Sequence, residues 1–227
     1  MRRLGDVLAD ARERLAGSPT PRLDAELLIA RGLGRRRSWL HAWPDARLEP
    51  AEVERCDELI ARRASGEPVA YLLGEREFRS LAFTVSPDVL IPRPESEQLV
   101  ELALAHLRRS AHAEPAVLDL GTGSGCVAIA IAHERPDARV TAIDSAEVAL
   151  RIARHNAERH GIVNVAFVRG EWYAPLGPGR FDVIVSNPPY VATGDPHLGR
   201  GDLLFEPAHA LDGGPDGLDA LREIAAG

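Results

Sequence analysis

The residues best suited to chemistry are Asn187-Pro188-Pro189-Tyr190, which directly follow the apolar run Phe181 to Val185 and Ser186. The nitrogen of an amide or aromatic NH₂ group delocalises its lone pair and is a poor nucleophile. The Asn187 side-chain oxygen and the Pro188 carbonyl can each accept one N–H of such a group. That grip holds the nitrogen in line with an electrophile and favours localisation of the lone pair as the new bond forms. Proline suits this role because it fixes φ and carries no N–H, leaving its carbonyl rigidly aimed. Tyr190 offers a ring to pack on a flat acceptor. A strong general base is unnecessary, because the substituted nitrogen turns acidic and releases its proton late. Asn187, Pro188, Pro189 and Tyr190 are therefore the candidate acceptor-binding set, with Asn187, Pro188 and Tyr190 as candidate catalytic groups.

A second constellation is Gly121-Thr122-Gly123-Ser124-Gly125, which follows the apolar run Ala116 to Leu120. Glycines let the backbone turn sharply and let a ligand approach without a Cβ in the way. The start of the helix behind such a turn favours a negative or polar ligand group. A dinucleotide fingerprint would need glycine at position 126, where Cys126 stands. Asp144 ends the next apolar run, 21 positions after Gly123. It is placed either to accept both hydrogen bonds of a ribose diol or to cap the helix that follows.

Both motifs need a frame, and the rhythm after Glu114 supplies one. Apolar runs at Ala116–Leu120, Arg139–Ile143, Val165–Val168 and Phe181–Val185 alternate with helical stretches from Ser124 to His133 and from Glu147 to His160. Strands separated by helices of this length predict an α/β fold with a mostly parallel sheet and right-handed crossovers. In an open sheet of that kind, ligands bind beyond the carboxyl ends of the strands, where both motifs fall.

Upstream, the chain reads as a helical module over residues 1–70. Leu4, Val7, Leu8, Ala11 and Leu15 form a helical stripe, Thr20-Pro21 offers a cap with proline at the first helical position, and Leu23, Leu27 and Leu28 continue inward. A third helix from Pro50 buries Val53, Cys56, Leu59 and Ile60. Residues 71–92 read as a hairpin turning at Arg79-Ser80, followed by an extended, proline-stiffened path through Ile91-Pro92-Arg93-Pro94-Glu95. A helix from Pro94 to Arg108 with Leu99, Leu102 and Leu107 opens the larger domain, 93–227.

The formal charge of −7, with 27 arginines and no lysine, argues against stable nucleic-acid binding, which rests on phosphate neutralisation. No apolar run is long enough to span a bilayer. Cys56 and Cys126 show no metal-type spacing, so the reading is metal-free and fits a reduced, cytoplasmic setting.

The glycine pattern resembles the first motif of class I, Rossmann-like methyltransferases. From Tyr71 onward the chain is similar to the release-factor glutamine-N5 methyltransferases (the HemK family). The match is carried by Tyr71-Leu72-Leu73-Gly74-Glu75, Leu90-Ile91-Pro92-Arg93-Pro94-Glu95, Ser186 to Tyr190, Phe205-Glu206-Pro207 and Asp216-Gly217-Leu218-Asp219. That resemblance implies S-adenosyl-L-methionine as cofactor, with S-adenosyl-L-homocysteine as product. It implies contacts at Gly121, Thr122, Gly123, Ser124, Gly125, Asp144 and Trp172, with Asn187 at the junction of donor and acceptor. From sequence, Trp172 packs either on adenine or in the core. The implied partner is a peptide chain release factor, methylated on the glutamine of its Gly-Gly-Gln motif, with the N-terminal helices helping to dock it. An exocyclic base nitrogen of DNA or RNA is the alternative acceptor. The pattern departs from the family at Glu171, where aspartate is usual, and at Leu204, where arginine is common. The family continues beyond the helix expected around Gly227 with the last strands of its sheet, so this chain is expected to be a shortened piece.

Overall fold

The computed structural model describes residues 1–110, 112–199 and 201–227. They form two compact units, Met1–Gly74 and Glu75–Gly227. The first holds helices α1 (Leu4–Arg14), α2 (Pro21–Leu33), α3 (Arg37–Ala42), α4 (Pro50–Ala64) and α5 (Val69–Leu73). Two short strands, β1 (Arg2–Arg3) and β2 (Arg47–Leu48), pair antiparallel. The α1 stripe is buried as expected, meeting Leu28 and Ile29 of α2 and Cys56 and Ile60 of α4.

Helix α2 departs from the expected pattern. Leu23 is exposed, while Asp24 and Glu26 are buried. Asp24 accepts from Arg63 Nε at 2.9 Å, Ser18 Oγ at 2.7 Å and Thr20 Oγ1 at 2.8 Å. Glu26 accepts from Arg22 Nε at 2.9 Å and Arg12 Nη2 at 3.4 Å. A carboxylate survives against a packing face only when paired and hydrogen-bonded in this way. Thr20 thereby spends its hydroxyl on Asp24 rather than on a helix N–H, although Pro21 does open the helix. Tyr71 to Leu73, expected in the hairpin segment, are helical in α5, with Leu72 in the helical core.

The second unit opens with the expected hairpin, β3 (Glu75–Phe78) and β4 (Leu81–Thr84), turning at Arg79 and Ser80 with φ of 48° and 62°. Two positive φ values match the right-handed twist of the strands they join. A single 3-10 turn, Pro94–Ser96, leads into α6 (Glu97–Leu107), which buries Val100, Ala103, Leu104 and Leu107. That i, i+3, i+4, i+7 set is the core stripe, so Leu102 lies on the opposite face and is exposed, contrary to expectation.

Strands β5 (Ala116–Leu120), β6 (Arg139–Asp144), β7 (Val165–Arg169) and β8 (Val183–Ser186) form one parallel sheet in the order β7-β6-β5-β8. Helix α7 (Cys126–Glu134) is apolar nearly all round because it contacts the sheet and also α6 and α8 (Glu147–Arg159). Helix α9 (Asp219–Ala226) ends the described elements. From β5 the chain steps outward through β6 to β7, then crosses back to lay β8 on the other side of β5. The direction of winding reverses between β5 and β8, which is where an open sheet forms its ligand crevice. Among the described residues, no helix is long and apolar enough to cross a membrane.

Candidate active site

Residue Ser186, the last of β8, donates its hydroxyl to the Leu120 carbonyl at the end of β5, 2.7 Å away. The glycine turn and the Asn-Pro-Pro-Tyr motif thus leave the sheet from two tied strand ends. The turn is held from beneath. Gly121 and Thr122 both donate their N–H to the Ile143 carbonyl at 2.9 Å. Asp144 accepts the Gly123 N–H on Oδ2 at 2.8 Å and the Ala146 N–H on Oδ1 at 2.9 Å. It therefore shapes the turn and steadies the approach to α8, while each oxygen keeps a lone pair for a diol.

Gly125 takes φ of 81°, and a Cβ there would lie 2.8 Å from Ile129 Cδ1 and 3.0 Å from the Ala153 Cβ. Its bareness lets α8 close on the turn. Asn156, fully buried on α8, completes the brace: its Nδ2 donates to the carbonyls of Ser124 (2.9 Å) and Thr84 (3.0 Å), and its Oδ1 accepts the Thr84 N–H at 2.7 Å.

Asp119 was missed as a site residue by motif reading. It is buried, lines the cavity, and accepts the Thr122 hydroxyl at 2.7 Å. Burial pushes its carboxyl up to about 6, the Thr122 hydroxyl and Ala128 N–H oppose that, and the charge of Asp144 adds to it. A charged residue inside an otherwise apolar strand was the signal that could have found it. Trp172 has φ of 44° and lines the same cavity. It also packs with Leu118, Leu120 and Ile143. The core reading of Trp172 is what these contacts show, and its place in the cavity wall leaves it available to a ligand. Strain of this kind persists only where the surroundings over-determine it.

On the acceptor side, Asn187 Nδ2 donates to Ser96 Oγ at 3.4 Å, and Oδ1 has no partner among the described residues. Pro188 is buried, and its carbonyl accepts no hydrogen bond among the described residues. Tyr190 is 62% exposed. The motif is buttressed by residues 211–214. Val191 donates to the Leu211 carbonyl at 3.0 Å, Gly213 to that of Val191 at 2.8 Å, and Thr193 to that of Gly214 at 2.8 Å. A Cβ on Gly213 would lie 2.8 Å from the Pro189 carbonyl oxygen, so only glycine admits this approach.

Gly121, Thr122, Gly123, Ser124, Asp144, Trp172, Asn187 and Pro189 open onto one cavity of about 600 Å³. Gly125, Pro188 and Tyr190 lie outside its wall. The volume suits a nucleoside-sized ligand. Two carboxylates, Asp119 and Asp144, give the floor a negative field that suits a cation, and Trp172 gives a flat apolar face for a purine. S-adenosyl-L-methionine carries a sulfonium, a ribose diol and an adenine, and these residues fit all three.

A parallel sheet with this glycine turn, and with Asn-Pro-Pro-Tyr at the adjoining strand end, defines a class I S-adenosylmethionine-dependent methyltransferase. Residues 6–74 match the PrmC N-terminal domain, and residues 97–212 match the methyltransferase small domain. The chain is 51% identical to the release factor glutamine methyltransferase of Burkholderia pseudomallei, over 96% of this chain and 78% of that protein. It is 51% identical to that of Xylella fastidiosa (97% and 78%) and 43% identical to that of Escherichia coli (96% and 77%). The chain belongs to the release factor glutamine methyltransferase family.

Proposed function

We propose that this chain transfers a methyl group from S-adenosyl-L-methionine to the side-chain amide nitrogen of the glutamine in the Gly-Gly-Gln motif of peptide chain release factors. The observation that carries the reading is the single cavity shared by the glycine turn and Asn187. Donor-binding and amide-gripping groups emerge from the ends of β5 and β8, joined by the Ser186–Leu120 hydrogen bond. When bound, S-adenosyl-L-methionine supplies an electrophilic methyl group.

The protein's own part is orientation. Asp144 offers its remaining lone pairs to the ribose diol, Trp172 offers its ring to adenine, and Asp119 stands beside the positive charge. The free Asn187 Oδ1 and the free Pro188 carbonyl each accept one N–H of the glutamine amide, holding the nitrogen against the donor. Tyr190, exposed beside them, packs on the amide plane. The helices of residues 1–74 serve release-factor docking, and the reaction belongs to the cytoplasm, where release factors act.

The test is transfer of labelled methyl to purified release factor, to the same factor with its Gly-Gly-Gln glutamine replaced by alanine, and to DNA and RNA. Label on the intact factor alone is the expected result. Label on nucleic acid and none on the factor would overturn the assignment.

A further inference from the structure

Resting on the proposed role of Asn187, one residue outside both motifs bears on the reaction. A primary amide has one accepting end and one donating end. To hold an incoming NH₂, Asn187 must present Oδ1; turned by half a rotation it would present Nδ2, donor against donor. Ser96 Oγ takes Nδ2 at 3.4 Å and is the one side-chain partner of Asn187 among the described residues. Ser96 is 7% exposed and lines the same cavity.

Its placement is fixed from several sides. Ser96 ends the 3-10 turn begun by Pro94, and its N–H donates to the Arg93 carbonyl at 3.0 Å. Arg93 Nη2 donates to the buried Glu206 carboxylate at 2.5 Å. Helix α6, which starts at the next residue, is anchored in the core by Val100 and Leu104. The proline-stiffened segment 91–95, which binding of donor and acceptor left unexplained, thereby acquires a purpose, since it delivers one hydroxyl to the side chain at the end of β8.

We propose that Ser96 is a positioning residue for methyl transfer: its hydroxyl accepts Asn187 Nδ2 and so holds the plane and rotamer of the amide, with Oδ1 left toward the acceptor. It acts through Asn187 and forms no bond to the reacting atoms.

The experiment is a double-mutant cycle on the full chain with a release-factor acceptor, reading kcat, KM, donor affinity by calorimetry and Tm. Ser96→Ala is expected to lower kcat roughly fivefold to tenfold, the scale of one neutral hydrogen bond, with KM and donor affinity within about twofold. In an Asn187→Ala background the same change is expected to alter kcat by less than about twofold, because the group it orients is gone. Losses that multiply across the two backgrounds overturn the proposal, as does unchanged kcat in Ser96→Ala when Asn187→Ala is slow. If Asn187→Ala itself turns over normally, the acceptor grip fails, and this inference fails with it. Should Ser96→Ala lose its thermal transition, Ser96→Thr against Ser96→Val replaces it, two side chains of like shape differing by the hydroxyl. Faster turnover by Thr at matched donor affinity supports the proposal; equal turnover overturns it.

Discussion

Replacing Asp119 by asparagine is expected to make the donor-free protein more stable and the donor-bound one harder to reach. The carboxyl is raised from 3.8 to about 6, with burial the first cause. At about 1.4 kcal/mol per pH unit, that rise amounts to an ionisation penalty on the order of 3 kcal/mol once the group is charged. The folded chain holds this proton more tightly than the unfolded chain does. Stability is therefore highest below 3.8, falls as pH rises through about 6, and stays low above it. Asparagine keeps an acceptor for the Thr122 hydroxyl but brings an NH₂ that must find its own partner, which offsets part of the gain. A net gain of about 1–2 kcal/mol, or a few degrees in Tm, is expected at about pH 7.5, shrinking toward zero or reversing at about pH 4.5. Donor affinity is expected to fall about tenfold or more, since a fixed negative charge beside a cation is lost. Calorimetric scans at both pH values and donor titration at the higher one read the two effects. A Tm no higher than wild type at the higher pH, with the same difference at the lower, would refute the reasoning.

Asn187→Ala is expected to lower kcat about a hundredfold or more with donor affinity nearly unchanged, as steady-state kinetics and titration would report. Asn156→Asp places a carboxylate against the Ser124 and Thr84 carbonyls in a fully buried site, so a loss of about 2–4 kcal/mol is expected in denaturant unfolding, with weakened donor binding. Gly213→Ala drives a Cβ into backbone at Pro189 and Gly217, and is expected to cut kcat more than donor affinity while costing about 1–3 kcal/mol of stability, read by kinetics, titration and unfolding.

The site was legible where its chemistry is contiguous. Gly121 to Gly125 and Asn187 to Tyr190 each sit in one short run, and the strand-helix rhythm put both at strand ends. The hairpin turn at Arg79-Ser80 was legible for the same local reason. What escaped notice depends on partners far along the chain. Asp24 is buried and paired with Arg63, which reaches it from α4, while Leu23 lies off the stripe of Ala25, Leu28 and Ile29 that α2 buries. Leu102 was an error of phase, since a run as apolar as Leu99 to Leu107 offers more than one stripe. Ser96 and Gly213 carry no motif of their own; their meaning appears only when segments 91 and 23 residues distant close on Asn187 and Tyr190. Gly125 was assigned to the ligand because of its place in the pattern; the need for glycine there that the structure adds is steric, since a Cβ would meet Ile129 and Ala153.

The pairing of residues 191–193 with 211–214 gives the two halves of the site different times of assembly. Asn187 aside, every group proposed to hold the donor lies at or upstream of Trp172. During synthesis that half can form while the grip on the amide still lacks its buttress. In the finished protein the same short ladder is open to fraying, being a few backbone bonds without a surrounding sheet. Each opening removes the buttress of the Asn-Pro-Pro-Tyr motif and, with it, the cavity wall at Asp212, Gly213 and Gly214. Amide exchange at Val191, Thr193 and Gly213 therefore reports the fraction of time the enzyme is ready.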